Sequence, residues 1–357
     1  MQAIYFTSSP EETIELGQRL GGFLKGGDVV LLYGDLGTGK THFSKGIAKG
    51  LGITETIKSP TFVYVNEYPL SANPLNHKSQ ITNQKLFHYD LYRLNPGDDL
   101  SSIGLEETLE SARAINVIEW ADRVIDLPQK HVYVELSIED ESHKIAIRFI
   151  DPEIVPKKAV GSFYEEWGTP LHVRAHIAKV TEVALKLADA YIAKGEIVNL
   201  NLLYSGAMLH DLCRLCDFNT LNRDDFSEDI TDEKWEKWED LRKTHQGFHH
   251  ADIALKFFTE LGYPKTAELI YTHKSRVIVQ EPERIDTLEK KILYYADKRV
   301  KHDEIVSLDE RFRDGKERHG RLNDEKTRTL FDQVEEKTYA LQKELFSAIT
   351  LHPEDIA

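Results

Sequence analysis

Gly34–Thr41 reads GDLGTGKT, with glycines at 34, 37 and 39 interleaved with Asp35, Leu36 and Thr38 before the pair Lys40–Thr41. Phosphate oxygens call for several backbone N–H donors at close range, and glycine lets a chain curl to present them without Cβ collisions. Lys40 would reach the outer phosphates as a mobile point charge, while the Thr41 hydroxyl would complete the coordination sphere of Mg²⁺. The run follows the apolar VVLLY and precedes the helical FSKGIAKGLG. That strand–loop–helix setting is what the chemistry requires, because the helix N-terminus adds positive potential. A nucleoside triphosphate is the implied ligand.

A second set of reactive side chains is dispersed through the C-terminal half: His176, the doublet His210–Asp211, His250, His273 and Asp297. Imidazole nitrogens and carboxylate oxygens together suit Mn²⁺, Fe²⁺, Zn²⁺ or Co²⁺, and a carboxylate can bridge two ions where imidazole cannot. An isolated His-Asp pair means little in a chain with 15 histidines. His172 shares a helix face with His176 and His249 adjoins His250, so either member of each pair remains open as the ligand.

The elements that would carry these groups fall into two patterns. A length of 357 residues predicts two cores. Through residue 152 the β-rich runs DVVLLYG, IKSPTFVYV, LFHYDLY and AINVIEW alternate with helical stretches, the signature of a mostly parallel sheet covered by helices. HVYVELSIE and HKIAIRFI then read as a closing hairpin. Residues 153–168 lose periodicity among prolines, glycines and charges and read as a linker. From 169 to 357 apolar residues such as Val173, Val180, Val183, Leu187 and Tyr191 recur at helical spacing, which predicts an all-α domain. Thr169 is the expected N-cap with Pro170 at the first helical position, Leu330–Ile349 the expected last helix, and Asn73–Lys85 an exposed loop.

Composition narrows the function classes. Sixty acidic against 45 basic side chains give a net charge of −15, which argues against wholesale wrapping of nucleic acid. No stretch approaches the ~18 apolar residues of a membrane span, and MQAIYFTSSPEET has no leader pattern, so a cytoplasmic, membrane-free protein is expected. Cys213 and Cys216 are too close for a framework disulfide and too few for a structural zinc site, and read as packing.

Beyond the phosphate loop, SPTF at Ser59–Phe62, HYDLYRL at His88–Leu94, GLEE at Gly104–Glu107 and IEW at Ile118–Trp120 follow in an order that resembles the TsaE family. The resemblance implies a P-loop ATPase using ATP and Mg²⁺, working with TsaB and TsaD in threonylcarbamoylation of adenosine 37 of tRNA, with tRNA met only indirectly. Carried over by motif, Asp90 and Glu119 would organise Mg²⁺, alongside Thr41, and the attacking water. Thr61 resembles a switch-type hydroxyl and Trp120 an aromatic near the nucleotide. His42 departs from the second hydroxyl usual after the lysine, and Pro69–Lys85 is longer than the family needs.

The order of the histidine and aspartate positions over residues 169–305 resembles the HD phosphohydrolase superfamily. On that resemblance His176, His210, Asp211 and Asp297 would hold one ion and His250, His273 and Asp211 a second, with Asp211 bridging. Arg214 resembles the basic residue that follows many such doublets and would orient phosphate or pair with an acid. Two ions of this kind activate water and absorb charge on phosphate oxygens. The chain thus reads as bifunctional, with a nucleotide-like substrate for the second domain. The competing reading is a nucleotide-gated adaptor for the tRNA-modification complex with a non-catalytic, structural or ligand-sensing helical appendage.

Overall fold

The structure, a computed structural model, describes residues 1–70, 84–218, 220–319 and 325–356. Two compact units divide the chain at Asp151/Pro152, with Gly195–Ile197 grouped with the first.

The first unit runs β1 (Ala3–Thr7), α1 (Pro10–Gly21), β2 (Val29–Tyr33), α2 (Lys40–Gly50), β3 (Val65–Pro69), β4 (Lys85–Asp90), α3 (Leu105–Leu109), β5 (Ala114–Glu119), β6 (His131–Glu139) and β7 (Ser142–Ile150). Its seven-stranded sheet has the order β1-β7-β6-β2-β5-β4-β3. The central strands β6, β2, β5 and β4 are parallel, and antiparallel strands close both edges. Every residue of β5 is buried, as is all of β2 but Tyr33, which fits strands covered on both faces. Parallel register sets Asp90 against Glu119, so two carboxylates end neighbouring strands at one level.

IKSPTFVYV departs from the strand expectation. Val63 and Tyr64 both turn back to the Pro60 carbonyl, Tyr64 takes a left-handed φ of 64°, and pairing begins only at Val65. The Ser59–Pro60 step breaks the run and frees the hydroxyls of Ser59 and Thr61 for Asp90. Of the loop expected over Asn73–Lys85, residues 73–83 lie outside the described residues, and Lys85 opens β4.

The second unit contains α4 (Val160–Trp167), α5 (Leu171–Ile192), α6 (Leu200–Leu209), α7 (Asp232–Thr244), α8 (His250–Glu260), α9 (Pro264–Tyr271), α10 (Val277–Gln280), α11 (Leu288–Lys298), the two-residue strands β8 (Val300–Lys301) and β9 (Glu304–Ile305), α12 (Leu308–His319) and α13 (Glu325–Ser347). It is helical but not purely so, since β8 and β9 form a small antiparallel pair. The stretch read as a linker is structured instead: Val155, Val160, Phe163, Tyr164 and Trp167 pack with Val173, Ile177, Leu209, Ile253 and Phe258 in one buried cluster. Its apolar side chains are spaced three and four apart over a single short helix, too brief for periodicity to stand out. Thr169 does not cap α5. Its hydroxyl bonds the Leu212 carbonyl, and Pro170 occupies the cap position. Cys213 is buried in that cluster and Cys216 packs against it. Among the described residues no helix is long and apolar enough to cross a membrane.

Candidate active sites

In the first unit Gly34, Gly37 and Gly39 all have positive φ, between 84° and 134°. A Cβ on Gly34 would also lie 2.2 Å from the Leu136 carbonyl oxygen, so only glycine fits there. The loop delivers Lys40 and Thr41 to the first turn of α2. Lys40 lies across the loop, its Nζ donating to the carbonyls of Gly34 (2.6 Å) and Asp35 (2.8 Å) and sitting 3.9 Å from the centre of the Trp120 ring. Burial lowers its pKa, against the opposing pull of Glu119 and Asp90.

Thr41 Oγ1 donates to Glu119 Oε2 at 2.9 Å. Ser44 Oγ donates to Glu119 Oε1 at 2.8 Å, and His88 Nε2 meets the same oxygen at 2.7 Å. Asp90 Oδ2 accepts from Ser59 Oγ at 2.7 Å and Thr61 Oγ1 at 2.5 Å. Both carboxylates are buried, at 4% and 2% exposure, on the side of Lys40. Two carboxylates and a hydroxyl form a hard-oxygen donor set, which suits Mg²⁺. The structure therefore gathers Thr41, Asp90, Glu119, Thr61 and Trp120 around the loop. Sequence reasoning gave no role to Ser44, Ser59 or His88. Ser59 and His88 were visible only as the first residues of SPTF and HYDLYRL, and Ser44 only as lying three residues after Thr41 on the same helix face.

In the second unit the dispersed histidines and aspartates come from helix ends and the second turn of one helix. His210 and Asp211 follow α6, His250 opens α8, His273 follows α9, Asp297 closes α11, and His176 lies in the second turn of α5. Each imidazole has its Nδ1 on an acceptor: His176 on the His302 carbonyl (2.7 Å), His210 on Ala207 (2.8 Å), His273 on Ile270 (2.5 Å) and His250 on the Asp217 carboxylate (2.5 Å). Those acceptors take up the Nδ1 side, so all four rings turn Nε2 inward; burial opposes the charged form of His176 and His250, yet the facing carboxylates raise the pKa of both. His176 Nε2 is then 3.3 Å from Asp297 Oδ1 and 3.9 Å from Asp211 Oδ2, and His210 Nε2 is 3.7 Å from Asp297 Oδ1. His250 and His273 Nε2 lie 2.9 and 3.6 Å from Asp211 Oδ1 and 3.0 Å from each other.

Imidazole nitrogens and carboxylate oxygens converging at these distances are a donor set that cations could bridge. His210 Nε2 is buried without a hydrogen-bond partner, the mark of a donor atom reserved for something else. Asp211 turns Oδ2 to His176 and Oδ1 to His250 and His273, the disposition a bridging carboxylate needs. Burial brings His210 down to about 4 and also lowers His273. For Asp211 burial acts upward, but facing His250 and His210 hold it well below the usual carboxylate range. Asp297 is likewise held low, against burial, by Lys298, whose Nζ is 2.5 Å from Oδ2, and by His176.

His172 is turned away from this cluster, against Phe218 and Phe226. His249 caps α8 by accepting from the Ala251 N–H, and burial brings its pKa down to about 3. Asp217, which sequence reasoning missed, anchors His250 through both its ring and its backbone N–H. Arg214 is half-exposed, 3.2 Å from Asp217 Oδ2 and 4.0 Å from Asp211 Oδ2.

Residues 7–147 match the family model described as threonylcarbamoyl adenosine biosynthesis protein TsaE. The tRNA threonylcarbamoyladenosine biosynthesis protein TsaE of Nostoc sp. is 42% identical over 144 residues, covering 40% of this chain and 82% of that protein. The protein of the same description from Bacillus subtilis is 38% identical over 129 residues, 36% of this chain and 73% of that one. A crystal structure of YdiB from Bacillus subtilis is similar at 30% identity, covering 42% of this chain and 87% of that chain with a TM-score of 0.33.

Proposed function

The chain belongs to the TsaE family through its first unit, and from that premise we propose a bifunctional protein: an ATPase serving tRNA threonylcarbamoyladenosine biosynthesis, joined to a metal-dependent phosphohydrolase. The relatives' printed role supports the first activity, and TsaB and TsaD are the partners it implies. Thr41, Glu119 and Asp90 meet beside the phosphate loop, and this carries the ATPase reading. In it, the loop amides and Lys40 bind the phosphates, Thr41 and the two carboxylates hold Mg²⁺, and Glu119 orients the attacking water. Phosphoryl transfer needs such positioning and charge neutralisation more than covalent help.

The inward-facing Nε2 atoms around Asp211 carry the second reading. His176, His210, Asp211 and Asp297 would hold one transition ion, and Asp211, His250 and His273 another. Bound there, the ions would supply Lewis acidity toward water and phosphate. The protein fixes the rings through their Nδ1 partners, and Arg214 is placed to meet a phosphate oxygen.

Each activity has its own test. Lys40→Ala is expected to abolish nucleotide binding, whereas Glu119→Ala retains binding and loses turnover. Unchanged turnover in Glu119→Ala would remove its role. For the second unit, metal analysis after reconstitution with Mn²⁺ should return near two equivalents, and phosphate release from a nucleotide panel should vanish in Asp211→Ala. Less than about one equivalent, or equal release by both proteins, would favour a non-catalytic appendage.

A further inference from the structure

Two cavities of the second unit adjoin. One, about 650 Å³, opens over the histidine–aspartate cluster; the other, about 330 Å³, is lined by His172, Phe218, Thr220, Asp225 and Phe226. His172, Phe218 and Asp225 line both. Together they have the size of a site for a small molecule with two chemically different ends.

The ends do differ. Arg214, Lys274, Lys298, Lys301 and Arg311 line the larger cavity beside Asp211, Asp225, Asp297 and Asp303, and the first four of these cations are paired with carboxylates. An anionic group would be met there by the ions proposed for the histidine–aspartate cluster, with basic side chains at its rim. The smaller cavity is walled by rings. His172 and Phe218 are nearly parallel at 21° with centroids 5.9 Å apart, and Phe226 lies 5.5 Å from His172 and 6.4 Å from Phe218. His172 is exposed and both phenylalanines are only half-buried, Phe218 packing in part against the buried cluster. Phe226 is backed at 4.7 Å by the wholly buried Trp238, whose indole N–H is anchored on the Gly168 carbonyl. The wall is therefore built and held.

We propose that His172, Phe218 and Phe226 form a stacking shelf for a nucleobase, so that the second unit takes a nucleotide with its phosphate over the Asp211 cluster and its base on the rings. This deepens the phosphohydrolase reading and rests on it for the reaction, though not for binding. A flat π-face joined by a sugar to a phosphate matches an aromatic wall next to a cavity that opens over the histidine–aspartate cluster. Stacking of this kind contributes roughly tenfold or more to affinity and tolerates different bases.

The test is equilibrium binding of AMP against ribose 5-phosphate, followed by calorimetry on the full chain. Lys40→Ala is carried throughout to silence the phosphate loop, and EDTA is present so that nothing turns over; the titration is then repeated with Mn²⁺. AMP should bind at least about tenfold tighter than ribose 5-phosphate. Phe218→Leu, which keeps apolar volume but removes the aromatic face, should bring the two ligands within about threefold while circular dichroism and Mn²⁺ stoichiometry stay unchanged; His172→Ala should act in the same direction. Equal affinities in the parent, no saturable AMP binding, or full discrimination in Phe218→Leu would each overturn the shelf. Loss of the hydrolase reading would show differently, as equal phosphate release by wild type and Asp211→Ala with the AMP preference intact.

Discussion

Glu119 is gripped from three sides, by Thr41, Ser44 and His88, and the last of these is the least conspicuous. His88 is 1% exposed, and its Nδ1 is buried with no hydrogen-bond partner, so its single polar contact is with Glu119. A ring kept in the core for one bond is a positioning group for that carboxylate. His88→Ala is expected to lower kcat for ATP hydrolysis roughly 10-fold or more, from losing one hydrogen bond to a charged group (~1.5–3 kcal/mol), with KM changed less than about threefold. Steady-state kinetics read the split. A proportional rise in KM instead would make His88 a structural residue of the loop.

Helices α1 and α2 approach closely enough that their glycines touch backbone. A Cβ on Gly46 would sit 2.2 Å from the Ile14 carbonyl oxygen, and one on Gly17 would sit 2.4 Å from that of Phe43. Gly46→Ala must push the helices apart, at about 1–3 kcal/mol. Because α2 begins at Lys40, the same shift should weaken nucleotide binding; chemical denaturation and ATP titration of one variant check both. Glu289, in the first turn of α11, offers a pH-dependent counterpart in the second unit. Burial raises its pKa above 4.5, and the hydrogen bond from the Asn199 N–H offsets this only in part. Its contribution is complete below the ordinary glutamate pKa and is lost as pH rises through the raised folded value. Glu289→Gln keeps the acceptor and removes the charge. Its melting temperature should exceed that of wild type at pH 7, with the gap closing as pH falls toward 4.5.

What could be read in advance follows the same scale. The phosphate loop and the strand-ending carboxylates were legible because short motifs sit in regular elements, VVLLY before and AINVIEW beneath. The segment around Ser59 was not, since a β-rich composition concealed a turn that its proline imposes. Helix α4 was missed because eight residues with Gly161 among them look like punctuation. Asp217 carried no local signal, and His88 was visible only as the first residue of HYDLYRL, with no role attached. Their roles arise only when distant stretches meet, Asp217 with His250 and His88 with Glu119.

At the scale of the whole chain, each unit has its own buried cluster, so heat should unfold them as two separable transitions. Ligands that bind one folded unit raise its transition alone, by about 2.7 kcal/mol at a hundredfold excess over Kd. Differential scanning calorimetry should show MgATP moving one transition and EDTA lowering the other. A single transition shifted by both would contradict this independence. In the second unit five of the six inward groups, His210, Asp211, His250, His273 and Asp297, stand at helix beginnings or endings. The opposite tips of those helices are accordingly free to lengthen, shorten or acquire new loops, whereas an insertion of even one residue on the near side would rotate a donor out of place. Architectural tolerance is thus distributed unequally, generous at the periphery and absent at the hub.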